Sequence, residues 1–324
     1  MKILITGAAG YIGSKLCHFI SQKFDIEHVY AFDNLFYNQG HLIFPVHNLN
    51  DKIFFFNEDV LDFSTNLEDA IEVSDVIIPL AAIVGAPACD QIPDYAASVN
   101  YDWYNSLLER DLSNKIVIYP NTNSGYGSTG EELCTEETPS NPISLYARLK
   151  QDTEDLLLGK LPTQAICFRL ATVFGWSFRP RLDLLVNNLT YRALFERGIE
   201  IFDGHYRRNY IHVDDICHAF MFAIDNKEKM VGQTFNLGND KINMTKESLA
   251  SIIAEVVGVE FSIDDTRTDP DKRDYLVSSQ KLYDLGFSPH YDLVFGIQEM
   301  VNFYKHLPSD EDARKTLTAN MFNY

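Results

Sequence analysis

The stretch KILITGAAGYIG, residues 2–13, decides the architecture. KILIT (2–6) reads as a short apolar strand, GAAG breaks it, and SKLCHFISQ (14–22) carries Leu16, Phe19 and Ile20 on one helical face. A strand turning sharply into a helix offers free N–H groups and a positive dipole end to a pyrophosphate. Gly7, Gly10 and Gly13 permit the turn and a close backbone approach, with Tyr11 and Ile12 enclosed by the same loop. HVYAFD (28–33) is a second strand that ends on Asp33, 20 residues after Gly13, where a carboxylate accepts bonds from adenosine ribose hydroxyls, and Asn34 follows it. A carboxylate repels a 2′-phosphate and DNLFYN supplies no Arg, so the expected cofactor is NAD rather than NADP.

Outward from this turn, apolar runs alternate with amphipathic segments. IFFFNED (53–59), DVIIPLAA (75–82), KIVIYPN (115–121) and TQAICFRLATVFG (163–175) read as strands. The segments 67–74, about 94–110 and 144–158 read as helices between them. Nearly all-apolar strands separated by helices predict an α/β fold, a Rossmann-type doubly wound parallel sheet covered on both faces. After Gly175 the rhythm breaks into a loop rich in Arg, and a smaller C-terminal substrate-binding lobe is expected. The predicted division is a cofactor domain over 1–175 with 205–238 interleaved, a lobe over 176–204 and 239–308, and a polar tail over 309–324.

The chain has 324 residues and a formal net charge of −19, which argues against a nucleic-acid or anionic-membrane surface, because phosphate binding needs a basic footprint. The five cysteines are scattered with no CxxC and no HExxH is present, so no metal site is expected. MKILITG opens as a strand, without the n- and h-regions of a signal peptide, and no apolar run approaches about 20 residues. A soluble cytoplasmic location is the expectation.

SLYARLK contains Tyr146 and Lys150 at i, i+4 on one helical face. A Lys⁺ beside a phenol favours the phenolate, so the Tyr146 pKa is expected to fall toward the working range, making it a proton acceptor for a sugar hydroxyl while Lys150 reaches the nicotinamide ribose. YPNTNSGYG (119–127) follows the fifth strand and is either a turn rich in backbone-bonding residues or a place where a hydroxyl meets substrate.

The GxxGxxG spacing, Asp33 and the Tyr146–Lys150 pair together resemble the short-chain dehydrogenase/reductase superfamily, in its extended nucleotide-sugar branch, the NAD-dependent epimerases and dehydratases. The resemblance implies that Asp59 and Val60 face the adenine, that Ala81 and Ala82 pass under the cofactor, and that Asn100 sits beside the nicotinamide. Thr122 takes the place of the hydroxyl that bonds the sugar oxygen deprotonated by the Tyr, and Ser124 lies in the substrate site. Sugar 4,6-dehydratases carry Asp and Glu where this chain has Asn123 and Ser124, so dehydratase chemistry is not expected. Thr172 in FRLATVFG stands where galactose-type 4-epimerases have Asn. RRNYIHVDD (207–215) matches a family element and implies Arg208 as a diphosphate ligand paired with Arg273, with Asn187 reaching the nucleotide and Asp215 capping the next helix.

Blocks such as IIPLAAIVGAP, RLDLLVN and DPDKRDYLVS are similar to a narrower group, the GDP-heptose 4-dehydrogenases of surface-polysaccharide synthesis. The implied function is NAD-dependent oxidation at C4 of a nucleotide-activated sugar. The alternatives are a 4-epimerase, and a non-catalytic NAD-binding regulatory protein. The resemblance also implies a homodimer in which segments 94–110 and 144–158 meet their copies.

Overall fold

In the computed structural model the described residues are 1–23, 25–39, 51–264, 266–267 and 273–307. The expected tail 309–324 lies outside them.

Seven strands form one parallel sheet. In chain order the first five are β1 (Lys2–Thr6), β2 (His28–Phe32), β3 (Ile53–Phe56), β4 (Val76–Pro79) and β5 (Ile116–Thr122). A two-residue strand β6 (Leu133–Cys134) leaves the sheet, β7 (Ala165–Leu170) rejoins it, and β8 (Thr172–Phe174) departs again. After β9 (Gly198–Ile201), β10 (Arg207–Arg208) and β11 (Tyr210–His212), strand β12 (Gln233–Leu237) returns to close the edge. The order is β12-β7-β5-β4-β1-β2-β3, and every pairing is parallel. The run 163–175 is therefore two strands: Ala171 ends the pairing with β5, and β8 pairs β11 instead.

The order reverses between β1 and β4. At such a switch point the strand ends diverge, and the crevice beyond their carboxyl ends accepts a ligand. One face of the sheet buries Ile3, Ile5 and Ile118 under the helices Tyr11–Ser21 and Val213–Asp225. The other buries Leu4, Ile77 and Val117 with Trp103, Tyr104 and Leu157. A separate core of Leu189, Ile199, Leu249, Ile253 and Ile297 builds the C-terminal lobe. No described helix is long and apolar enough to cross a membrane.

Helix Val213–Asp225 is capped by His212, not by Asp215. The His212 Nδ1 accepts from the Asp214 N–H at 3.2 Å, so its proton sits on Nε2 and faces the Glu299 carboxylate at 3.1 Å. Asp215 instead accepts from the backbone N–H groups of His290 and Tyr291, tying the loop before helix Leu293–Tyr304 to helix Val213–Asp225. An Asp two positions into a helix can turn to a more distant donor because a nearer side chain has already taken the cap.

Candidate active site

A cavity of about 1110 Å³ opens at the switch point and runs from the glycine turn to the lobe. Gly7 has φ +68°, and a Cβ there would lie 2.6 Å from the Ala81 nitrogen, so only glycine lets β1 and β4 close beneath the cavity. A Cβ on Gly13 would collide with the Gly7 carbonyl. Gly10 caps helix Tyr11–Ser21 with no side-chain partner, so the first-turn N–H groups face the crevice. Asp33 is 7% exposed; it accepts from the N–H of Ala9 at 2.9 Å, the N–H of Leu35 at 2.8 Å and the Gln39 amide at 3.2 Å. Three of about four carboxylate lone-pair sites are thus filled, and the remainder faces the cavity. Burial raises the Asp33 pKa, opposed by those backbone donors and by Arg179.

Asn34, Asp59 and Val60 line the same end. The Asn34 amide donates to Asp59 at 2.7 Å and to the Tyr95 hydroxyl at 3.1 Å, and Tyr95 donates to Asp59 at 2.9 Å, a closed triangle that fixes this wall. Ala81 and Ala82 form the floor, and Tyr11 and Ile12 line the turn. The Tyr11 hydroxyl is already used: it donates to the Gly175 carbonyl at 2.6 Å and ties the glycine turn to the start of the lobe. These groups fit a dinucleotide: a cradle with no room for a Cβ, unpaired helix-end donors and a ribose-sized acceptor.

At the other end stand Thr122, Ser124, Tyr146, Lys150, Thr172 and Arg273. Ser144 caps helix Leu145–Lys160 through the Ala147 N–H, which starts the helix so that Tyr146 and Lys150 share the cavity face. The Thr122 hydroxyl donates to Ser124 Oγ at 3.0 Å and accepts from the Ser124 N–H at 3.2 Å. Arg273 also donates to Ser124 Oγ. With its lone pairs taken by Thr122 and Arg273, Ser124 has its proton to offer to a bound oxygen.

The expected lowering of the phenol is not what these side chains produce. Burial raises the Tyr146 pKa, and Cys89 adds to the rise, while Arg181 and Arg273 pull it down. The same burial lowers Lys150 from 10.5 to about 7, with Cys167, Cys89 and Glu154 opposing. Low dielectric penalises both charged forms, and burial is the largest influence on each. The Lys150 ammonium lies 4.1 Å from the Tyr119 ring centroid, a cation–π contact that helps hold it.

Three expected ligands do not line the cavity. Asn100 is 1% exposed and clamps Ile83, donating to its carbonyl at 2.8 Å and accepting from its N–H at 2.9 Å. Asn187 accepts from the Gly175 N–H and donates to the Tyr11 hydroxyl and the Arg181 carbonyl, so its amide is spent on the crossover, whereas Asn188 faces the cavity. Arg208 is 3% exposed with its guanidinium 5.5 Å from the Tyr275 ring, outside the lining to which Arg273 belongs. Arg179 and Arg181 join the lining without having been singled out in the sequence. Their signal was the arginine-rich loop after Gly175. Arg181 forms a fork with Asp183, with Nε 2.7 Å from the carboxylate.

The model of the NAD dependent epimerase/dehydratase family matches residues 3–238. A UDP-glucose 4-epimerase of Mycolicibacterium smegmatis is 29% identical over 94% of this chain and 99% of its own. The structure of UDP-glucuronic acid 4-epimerase from Bacillus cereus, in complex with UDP-glucuronic acid and NAD, superposes with a TM-score of 0.83 at 27% identity, covering 95% of this chain and 100% of that one. That of dTDP-glucose 4,6-dehydratase from Bacillus anthracis, in complex with NAD, gives 0.80 at 26% identity over 94% and 96%. With the parallel sheet, the glycine cradle and the Tyr146–Lys150 helix already in place, this match over most of the chain assigns it: the chain belongs to the NAD dependent epimerase/dehydratase family.

Proposed function

We propose that the protein oxidises C4 of a nucleotide-activated sugar, with NAD held by Gly7, Gly10, Gly13, Asp33 and the 34–59–60 wall. The observation that carries this reading is one cavity joining the glycine cradle to Thr122, Tyr146 and Lys150. NAD, when bound, supplies the hydride acceptor and a positive charge. Tyr146 takes the C4 hydroxyl proton, Ser124 donates its own hydroxyl proton to that oxygen, and Thr122, donating to Ser124 Oγ, orients it. Lys150 holds the ribose, and Arg181 and Arg273 favour the phenolate that burial disfavours. Asn123 and Ser124 offer no carboxyl group for elimination of water, which supports a reaction other than 4,6-dehydration.

The similarity to UDP-sugar 4-epimerases supports return of hydrogen to C4 on the opposite face, giving the epimer. A second reading, release of the 4-keto sugar as in a GDP-heptose 4-dehydrogenase, is favoured by Thr172, which lines the cavity where an Asn is expected in galactose-type epimerases. Incubation with NAD and a panel of UDP-, GDP- and dTDP-sugars, followed by proton NMR of the products, separates them. A C4 epimer supports the first reading and a 4-keto sugar the second. A 4-keto-6-deoxy sugar would overturn both, and unchanged sugars across the panel would favour a non-catalytic NAD-binding protein. A cytoplasmic homodimer is part of the proposal, and light scattering at the monomer mass of 37.0 kDa would contradict the dimer.

A further inference from the structure

Beneath the cavity lies a buried ion pair that touches no part of it. Arg169 on β7 grips Glu154 with two nitrogens, Nη2 at 2.7 Å and Nε at 3.1 Å from the same carboxylate oxygen, and both residues are buried. Glu154 lies on helix Leu145–Lys160, one turn beyond Lys150 and two beyond Tyr146. Its other oxygen accepts from the Asn121 amide at 2.6 Å. Asn121 in turn accepts, through its side-chain oxygen, the backbone N–H of Thr122 at 2.7 Å. Arg169 reaches the far end of the same turn, donating to the Tyr126 hydroxyl at 3.0 Å, which donates to Asn236 on β12 at 2.6 Å.

We propose that Asn121, Glu154 and Arg169 are positioning residues that set the Thr122 and Ser124 hydroxyls against Tyr146. The turn 122–126 is held at both ends, by Asn121 at its start and Tyr126 at its close, and both holds converge on one ion pair. Glu154 shares a rigid helix with Tyr146 and Lys150, so the pair fixes the hydroxyl turn to the helix that carries the phenol. Charged, bidentate bonds in a buried place tolerate little displacement, which suits a device that keeps a distance. A hydrophobic core would hold these elements together, but it would not dictate where the Thr122 amide points.

The inference rests on the proposed role of Thr122 and Tyr146, and two variants test it. Asn121→Ala keeps both members of the ion pair and cuts the bonds from Asn121 to Glu154 and to Thr122. The paired change Arg169→Met with Glu154→Leu replaces the charges by apolar groups of similar size, a swap that preserves stability in many buried pairs, yet removes both links from the ion pair to the turn, the one through Asn121 and the one through Tyr126. In both, hydrogen exchange of the peptide 119–127 is expected to rise while that of 145–160 stays as in the parent. Turnover is expected to fall about a hundredfold, the scale for a displacement of about 1 Å, with the KM of the sugar and the affinity for NAD little changed. Wild-type exchange in 119–127 for Asn121→Ala would overturn the link whatever the reaction is. Wild-type turnover in a stable paired variant would show the pair to be structural only and overturn the positioning role. Failure of the parent enzyme to convert any nucleotide sugar would sink the functional reading, and the exchange measurement would still decide whether Asn121 holds the turn.

Discussion

Lys150→Met is predicted to make the protein more stable and less active. Lys150 is 3% exposed, and burial lowers its pKa from 10.5 to about 7. At about 1.4 kcal/mol per pKa unit, holding the charged amine in this place costs the folded state about 5 kcal/mol. The cation–π contact with Tyr119 offsets up to about 2 kcal/mol of that, so a Met of similar length is expected to gain about 3 kcal/mol. The sign has a pH signature. Below about pH 7 the amine is charged in both states and the penalty is complete. Between about 7 and 10.5 the unfolded chain holds a proton that the folded one lacks, so wild-type stability rises with pH and the advantage of Met shrinks. Urea unfolding of both proteins at about pH 6 and about pH 9.5 reads this directly. A higher midpoint for the variant at the lower pH, narrowing at the higher, is expected together with collapse of turnover. A variant no more stable than wild type at the lower pH would refute the claim that a burdened lysine is kept here for chemistry.

Gly7→Ala puts a Cβ 2.6 Å from the Ala81 nitrogen in a left-handed backbone; opening that gap by about 1 Å costs about 2–4 kcal/mol, read as a lower melting temperature and loss of NAD binding by fluorescence titration. Tyr146→Phe is expected to keep NAD affinity and to lose turnover about a thousandfold, since only the proton acceptor is removed; retained turnover would move the proton elsewhere. Glu154→Gln leaves Arg169 buried beside a neutral partner and is expected to cost about 3–5 kcal/mol in denaturant unfolding.

Local chemistry is what the sequence made readable. The glycine turn, Asp33 and the Tyr146–Lys150 spacing state their geometry in a dozen residues, because a βα turn and one helical face are fixed by near neighbours. The sheet followed from apolar runs, although β8 could not be separated from β7, since the departure at Ala171 depends on β11, far along the chain. Asn100, Asn187 and Arg208 lie outside the cavity lining for a related reason. Each sits within a family-like motif, but its side chain is claimed by Ile83, by Gly175 with Tyr11, or by the Tyr275 ring, partners that only the tertiary crossing brings near. The raised phenol of Tyr146 was hidden as well, since spacing shows a neighbouring charge but not the burial that overrides it. Arg169 and Glu154 gave no signal at all, being an ordinary strand residue and an ordinary helix residue until the sheet joins them.

The central claim, C4 oxidation by Tyr146 chemistry at an NAD site, is tested most directly by stopped-flow absorbance at 340 nm of near-stoichiometric enzyme with NAD and each nucleotide sugar. The account predicts a rise with at least one sugar, transient for an epimerase and lasting for a net dehydrogenase, which vanishes in Tyr146→Phe. A flat trace with a sugar that the enzyme nevertheless converts, or an undiminished rise in Tyr146→Phe, would contradict it.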